Sequence, residues 1–190
     1  MHLKIALVRI FLFLFLVAGI TACVDVSDSR AAIRTVTGTI TKIVDGDTVH
    51  LITPEQTKLK VRLYGIDTPE AYKISRQKGQ INEIGQPYAE ESKKALNNKV
   101  MGKQVQLDII TTDKYRRIVG IIWLGERNIN LEMVREGYAE AFLEYLDEPY
   151  RAKFIEAEHE AKTAKKGIWS FHEYERPRDF RKRLKMGGVD

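Results

Sequence analysis

The residues with the clearest chemical potential form three short clusters of polar and charged side chains. The first is Asp45-Gly46-Asp47-Thr48, the second combines Arg62 with Asp67-Thr68-Pro69-Glu70, and the third is Asp113-Lys114-Tyr115-Arg116-Arg117. Taken alone, each cluster is most simply explained as a polar turn or a solvated strand end. Their chemistry becomes specific only when the three clusters are considered together.

The acidic residues of the first two clusters could hold a metal ion. Asp47 and Asp67 are hard oxygen ligands, which suit Ca²⁺ when backbone carbonyls and water complete the coordination. No histidine or cysteine lies near them in the sequence, and this argues against Zn²⁺ or copper. Glu70 follows Asp67 by three residues, so it could reach a water molecule beside the metal.

Arg62 and Arg117 add two fixed positive charges to this set. Guanidinium groups carry forked donors that match the geometry of phosphate oxygens. A metal ion and arginines offset the charge that develops on phosphorus, while a carboxylate base orients water for in-line attack. The three clusters together therefore have the composition that hydrolysis of a phosphodiester needs.

The elements that must position these clusters are short strands and a few helices. Alternating and β-branched runs predict five strands, and helical spacing of apolar residues predicts three helices. Asn130 is expected to cap the second helix. One helix between the third and fourth strands indicates an α+β domain, mainly a five-stranded Greek-key barrel of OB type. The predicted strands are residues 36–44, 48–52, 58–64, 103–111 and 117–124, and the predicted helices are 88–98, 131–136 and 148–166.

Composition limits the possible classes of protein. The chain has 190 residues, of which 44% are hydrophobic and 30% charged, as in a globular protein and unlike a disordered one. Its single cysteine excludes an intrachain disulfide, a zinc ribbon and a CxxC redox site. Lys4 and Arg9 carry two of the five net positive charges, so the chain from Cys23 onward has only +3. A charge this small does not by itself indicate a nucleic-acid partner.

Residues 1–22 have the pattern of a secretory signal peptide. A short basic start is followed by the apolar run 10–20, which is too short to span a bilayer as a helix because spanning takes about 20 residues. Ile20-Thr21-Ala22-Cys23 resembles the bacterial lipobox, in which the cysteine is lipidated. The alternatives are an ordinary signal peptide with an incidental cysteine and a retained membrane anchor.

The expected organisation has four parts. The signal peptide is followed by a polar tether at residues 23–34, a folded domain at 35–172 and a basic C-terminal tail at 173–190. Lipidation of Cys23 would anchor the protein in the cell envelope, and Val24 after it favours the outer membrane in a cell with two membranes. The tail is expected to be solvated and partly disordered rather than to bind nucleic acid.

The chain resembles the thermonuclease (staphylococcal nuclease) family across nearly the whole folded domain. The resemblance rests on ITKIVDGDTVHL, VRLYGIDTPE, TDKYRR, NLEMVREGYAEA and GIWS, which occur in family order. It implies an OB-fold barrel with three α-helices and a Ca²⁺-dependent nuclease that acts on DNA and RNA and leaves 3′-phosphate ends. No protein partner is indicated, and a monomer is expected.

The resemblance also implies roles for individual residues. Asp47, Asp67 and the carbonyl of Thr68 would bind calcium, with Asp45 supporting the loop. Glu70 would act as the general base. The two arginines already singled out would be catalytic, Arg62 in the ground and transition states and Arg117 mainly in the transition state. Tyr115 would lie against the bound nucleotide.

Two positions depart from the family pattern. Arg116 stands where the best-known member has glycine, and Leu143 stands where some members have a tyrosine that stacks on a base. The main alternative function is a catalytically silent module of this fold that binds single-stranded nucleic acid at the cell envelope. An envelope lipoprotein with a purely structural role would leave the charged clusters unexplained.

Overall fold

The structure is a computed structural model that describes residues 34–74, 81–83 and 85–186. The expected signal peptide, Cys23 and most of the tether lie outside the described residues. Among the helices of the described part, none is long and apolar enough to cross a membrane.

Five strands form a closed barrel, and this confirms the predicted α+β class and OB-type architecture. The barrel strands are β1 (Arg34–Ile43), β2 (Thr48–Ile52), β3 (Lys58–Leu63), β7 (Gln104–Thr112) and β8 (Ile118–Leu124). All five predicted strands are present within a few residues of their predicted ends. Four antiparallel pairings give the order β3-β2-β1-β7-β8, and a parallel pairing between β3 and β8 closes the barrel.

Five shorter strands lie outside the barrel wall or extend it. Two of them, from distant parts of the chain, pair to form a small sheet, and a hairpin lies within the polar segment 71–87. These strands are β4 (Ile66–Asp67), β5 (Lys73–Ile74), β6 (Ile81–Glu83), β9 (Arg127–Asn128) and β10 (Glu140–Ala141). The pair formed by β4 and β10 matters most for function, because β4 carries Asp67.

The described residues contain four α-helices, one more than predicted. The three predicted helices are α1 (Ala89–Val100), α2 (Ile129–Arg135) and α3 (Tyr150–Thr163). The additional helix is α4 (Pro177–Met186), which lies within the segment expected to be a solvated tail. Pro177 and Phe180 are buried, so α4 packs on the domain and the expectation of a loose tail there is wrong.

The core fills the barrel and extends between α2 and α3. Inward-facing strand residues such as Leu51, Val61 and Leu107 are fully buried. The apolar stripe of α3, with Phe154 at its centre, packs against Met133 of α2. Burial of these side chains supplies the main driving force for folding and gives the barrel a rigid frame.

The predicted cap of α2 is wrong by two residues. Asn128, not Asn130, caps the helix by accepting a hydrogen bond from the N–H of Leu131. Asn130 is fully buried instead. Its amide donates to the carbonyls of Tyr64 and Gly120 at 2.9 and 3.1 Å and accepts from an N–H of β8 at 3.0 Å. This bridge fixes the turn that leads from β3 to β4.

Candidate active site

The turn between β1 and β2 presents Asp47 to the site. The carboxylate of Asp45 accepts a hydrogen bond from the backbone N–H of Asp47 at 3.1 Å, which is the local geometry of an Asx turn. A Cβ on Gly46 would lie only 2.9 Å from the Oγ1 of Thr68. The turn therefore needs glycine here because it packs directly against the segment that follows β4.

Strand register places Arg62 beside this turn. Thr48 of β2 is paired with Arg62 of β3, so the arginine side chain reaches Asp47 next to it. Arg62 donates to Oδ1 of Asp47 at 2.9 Å and to Oδ1 of Asp67 at 3.0 Å. Thr48 also donates to Oδ1 of Asp47. Neither of these two donors to Asp47 occupies its Oδ2.

Asp67 lies at the end of β4, at the base of the site. Its side chain is 1% exposed, and its backbone pairs with Glu140 of β10. Thr68 follows it and is also buried. The register and the tight turn after β3 therefore place Asp47, Arg62 and Asp67 together, as the sequence predicted for a joint site.

The backbone of Glu70 is held on both sides by Gln86. Its N–H donates to the side-chain carbonyl of Gln86 at 3.1 Å, and its carbonyl accepts from the N–H of Gln86 at 2.8 Å. Gln86 is buried and also donates to the carbonyl of Glu175 at 2.8 Å. Gln86 could not be predicted as a site residue from the sequence, because a lone glutamine in a polar segment carries no recognisable signal.

The turn between β7 and β8 carries Tyr115 and Arg117. Asp113 accepts hydrogen bonds from the backbone N–H groups of both residues at 2.9 Å. Its other oxygen accepts from the Nε of Arg117 at 2.7 Å. Arg116 has a φ of 61°, a backbone conformation that glycine adopts more easily. This φ fits the glycine found in the best-known family member.

These elements line one open cleft of about 1150 Å³. Six of the seven predicted site residues contribute to its wall, and the seventh, Asp67, lies beneath the wall with its carboxylate joined to Arg62. Arg117 lines the cleft, whereas Arg116 does not. The guanidinium of Arg117 pairs with Asp113 and therefore stands apart from the cluster around Asp67. The six lining residues are Asp47, Arg62, Thr68, Glu70, Tyr115 and Arg117.

Burial perturbs the acidic groups of the site. Burial raises the pKa of Asp47 to about 6, although the nearby Arg62 acts in the opposite direction. Glu140, beside Asp67, is 1% exposed. Burial raises its pKa to about 7 against the opposing effect of Arg176. Charged Asp47 is thus incompletely compensated by the chain, and additional positive charge in the cleft would stabilise it.

Comparison with known proteins bears on the function of this site. Residues 60–171 match the family described as staphylococcal nuclease homologue. The chain belongs to the staphylococcal nuclease family. An uncharacterized endonuclease of Haemophilus influenzae is 31% identical over 147 residues, which cover 77% of this chain and 74% of that protein.

Two further relatives carry nuclease names. A thermonuclease of Staphylococcus intermedius is 30% identical over an alignment that covers 68% of this chain and 74% of that protein. A micrococcal nuclease of Shigella flexneri is 30% identical over an alignment that covers 78% of this chain and 82% of that protein. The predicted class of enzyme is confirmed, and this chain is a nuclease. Nucleases of this family depend on a metal ion.

The oxygen donors of the nuclease cleft fit a hard divalent cation. Asp47, Asp67 and the carbonyl of Thr68 are all oxygen ligands, as Ca²⁺ or Mg²⁺ prefers. Among the described residues, no group of three or more His, Cys, Asp or Glu side chains is clustered as a metal site. Water and backbone carbonyls would therefore supply the remaining ligands. This donor set does not suit Zn²⁺.

One positively charged side chain in this cleft was not predicted from the sequence. Arg181 of α4 donates to both carboxylate oxygens of Asp67, at 3.1 and 2.7 Å, and to Oε1 of Glu70 at 2.6 Å. Its only signal in the sequence is a basic run after Pro177, which is typical of solvated tails. Tyr145 was missed as well. It lies in the cleft wall, is 63% exposed and packs on Phe142 with ring centroids 4.8 Å apart.

Proposed function

We propose that this nuclease is a calcium-dependent endonuclease that hydrolyses phosphodiester bonds of DNA and RNA and leaves 3′-phosphate ends. One observation carries the proposal. Two buried carboxylates, Asp47 and Asp67, are joined by Arg62 in the same cleft that exposes Glu70 and Arg117. This cleft combines the oxygen ligands, the base and the fixed cations that the reaction needs.

Asp47, Asp67 and the carbonyl of Thr68 are the residues that would hold calcium. When bound, the ion would offset negative charge on the phosphoryl oxygens and help to orient the attacking water. The hardness of the donors and the incomplete compensation of Asp47 support this assignment. The turn around Gly46 fixes the distance between the two carboxylate-bearing segments.

Glu70 would act on the attacking water. Its side chain is 29% exposed in the cleft, and its backbone is held on both sides by Gln86. In the proposed reaction, the water proton passes to the Glu70 carboxylate, directly or through an intervening water. The new bond forms between the water oxygen and phosphorus, the bond from phosphorus to the 5′ oxygen breaks, and the leaving 5′ oxygen takes up a proton from solvent. The products are a 3′-phosphate and a 5′-hydroxyl.

Arg62 and Arg117 would stabilise the phosphorane-like transition state. Arg62 is fixed by two carboxylates, so its remaining donors can face a phosphate oxygen without reorganisation. Arg117 lies across the cleft on the β7–β8 turn and would stabilise the leaving 5′ oxygen. Tyr115 is 68% exposed on the same turn and offers a ring face to a nucleotide.

The test uses the purified protein with single-stranded and double-stranded DNA and RNA, in calcium or in chelator. We expect calcium-dependent cleavage and products that polynucleotide kinase can label without prior phosphatase treatment, since their 5′ ends carry hydroxyls. Glu70→Gln should lower kcat by about 10²- to 10⁴-fold while the circular dichroism spectrum is retained. Glu144→Gln, in the wall of the same cleft, is the matched control.

Three results would contradict the proposal. Full activity in Glu70→Gln would remove that residue from its role as base. Cleavage that persists in chelator would remove the metal. Products with 5′-phosphate ends would exclude the proposed direction of bond breakage. Binding of single strands without any cleavage would support the silent-module alternative.

We also propose that residues 1–22 direct secretion and that Cys23 carries the lipid anchor, with Val24 favouring the outer membrane. The proposal rests on the lipobox-like sequence around the single cysteine. Two or more acyl chains give stable anchoring because each buried CH₂ contributes about 0.8 kcal/mol. Labelled palmitate should be incorporated into the wild-type protein but not into Cys23→Ala. Release from the membrane should need detergent for the wild type and not for Cys23→Ala.

A further inference from the structure

The helix α4 covers part of the cleft and inserts a charged side chain into it. Both Arg181 and Lys185, one helical turn apart, contribute to the cleft wall. The Arg181 guanidinium makes a forked contact with Asp67 and shares one nitrogen with Glu70. Its side chain is 35% exposed, whereas the side chain of Asp67 is 1% exposed.

This contact belongs to a helix that is firmly docked. Phe180 is 4% exposed and Pro177 is buried, which anchors the first turns of α4 on the domain. Before the helix, Arg176 pairs with buried Glu140 at 3.1 Å. Gln86, which holds the backbone of Glu70, also donates to the segment just before α4. The position of Arg181 is therefore set by packing and not by its own charge alone.

The oxygens that Arg181 occupies are the ones that the proposed reaction needs. Asp67 would offer its carboxylate oxygens to calcium, but both accept hydrogen bonds from Arg181. Glu70 would accept a proton from water, but its Oε1 accepts from Arg181 at 2.6 Å. Oδ1 of Asp67 accepts from both Arg62 and Arg181, so a calcium ion bound to this oxygen would have to displace one of the two guanidinium groups.

We propose that α4 is an autoinhibitory segment in which Arg181 closes the active site by competing with calcium for Asp67 and by masking Glu70. The inference rests on the proposed metal site at Asp47 and Asp67. Calcium binding displaces the Arg181 side chain, and the released guanidinium group then lies at the mouth of the cleft. Tighter docking of α4 therefore lowers the affinity for calcium, and calcium binding weakens the docking of α4.

The test measures calcium binding to the metal-free full chain by calorimetry, without nucleic acid. We expect Arg181→Gln to bind calcium roughly 5- to 100-fold more tightly than the wild type, which is the usual range of coupling between two sites. Lys182→Gln is the matched control. It removes one positive charge from the same helix at an exposed position that does not line the cleft. Its calcium affinity should equal that of the wild type.

A second variant keeps the proposal testable if Arg181→Gln is poorly folded. Phe180→Ala weakens the anchor of α4 but retains Arg181, so it should also increase calcium affinity. In the wild type, calcium should increase hydrogen exchange of the α4 amides relative to those of α3. The exchange of barrel amides should be unchanged by calcium.

The outcomes separate this inference from the function on which it rests. Equal calcium affinity in wild type, Arg181→Gln and Phe180→Ala would overturn the autoinhibition while leaving the metal site intact. Weaker binding in Arg181→Gln would show that the arginine supports the site. A lower kcat of Arg181→Gln at saturating calcium would make Arg181 a residue that acts in the transition state and not an inhibitor. If neither the wild type nor any variant binds calcium, the calcium assignment itself fails.

Discussion

Asp113 should control catalysis without touching the substrate, because it organises the turn that carries Arg117. One of its oxygens accepts the backbone N–H groups of Tyr115 and Arg117, and the other accepts from the Arg117 guanidinium. Asp113→Ala removes both functions. Asp113→Asn retains an oxygen for the backbone bonds but removes the charge that holds the arginine.

The size of the effect on stability follows from these contacts. Hydrogen bonds to a charged group contribute about 1.5–3 kcal/mol each, and the partly exposed ion pair adds less than about 1 kcal/mol. Because the turn is open to water, the freed N–H groups can be solvated. We therefore expect Asp113→Ala to lower the free energy of unfolding by about 2 kcal/mol and Asp113→Asn by about 1 kcal/mol.

The pH dependence gives an independent check. Burial acts to raise the pKa of Asp113, but hydrogen bonds from Arg117 and Tyr115 outweigh it and hold the pKa below its ordinary value of 3.8. A lowered pKa in the folded state stabilises the protein above the unfolded pKa and ceases to do so as the pH falls through the folded pKa. The stability difference between wild type and Asp113→Asn should therefore shrink below about pH 4.

The assay is steady-state cleavage of a labelled oligonucleotide at saturating calcium, over a range of substrate concentrations. Asp113→Ala should lower kcat by about 10- to 100-fold, because a displaced catalytic group can cost that much, with little change in KM. Asp113→Asn should fall between Asp113→Ala and wild type. Glu126→Gln, on the exposed turn between β8 and β9, is the control. An unchanged or increased kcat in Asp113→Ala would refute the reasoning, since it would mean that Asp113 is not needed to position Arg117 or withholds it from the reaction.

Three further predictions concern the frame of the site. Asn130→Leu should lower the free energy of unfolding by about 3 kcal/mol, since three buried hydrogen bonds are lost and their backbone partners stay unpaired; a loss below about 1 kcal/mol in urea denaturation would contradict this. Burial raises the pKa of Glu140 from 4.5 to about 7, so in chelator the free energy of unfolding should fall by up to about 3 kcal/mol as the pH rises through this interval. Glu140→Gln should flatten this part of the plot of stability against pH, and an equally steep plot would argue against the raised pKa. Gly46→Ala places a Cβ 2.9 Å from Thr68, so calorimetry should show weaker calcium binding by about tenfold or more, and unchanged binding would mean that the turn can move freely.

The barrel and the heart of the site could be predicted from the sequence because both depend on local patterns. Alternating polar and apolar residues marked the five barrel strands, and period-two geometry fixes which side chains point inward. Asp47 directly precedes Thr48, which is paired with Arg62 on the adjacent strand, so the proximity of Asp47 and Arg62 follows once the β2–β3 register is set. Asp67 follows within one turn of Arg62.

Residues that act over long sequence separations could not be predicted in this way. Arg181 lies 114 residues after Asp67, and its place in the cleft depends on the burial of Phe180 rather than on any local pattern. In the sequence, α4 is a basic run with one aromatic residue, which is equally typical of a solvated tail. The misplaced cap has a similar cause, because Asn128 and Asn130 are both chemically able to cap a helix and only the tertiary structure assigns the buried bridge to Asn130.

The charge balance around Asp67 connects these missed residues to the proposed chemistry. A buried carboxylate is stable only when nearby positive charge compensates it. The single positive charge of Arg62 is shared between two carboxylates, those of Asp47 and Asp67. Arg181 supplies the second positive charge at Asp67. Asp47 pairs with Arg62, and burial raises the pKa of Asp47. A divalent cation bound between the two carboxylates would compensate Asp47 and make Arg181 unnecessary at Asp67. The same electrostatic requirement therefore favours Arg181 in the closed site and its release when the metal binds.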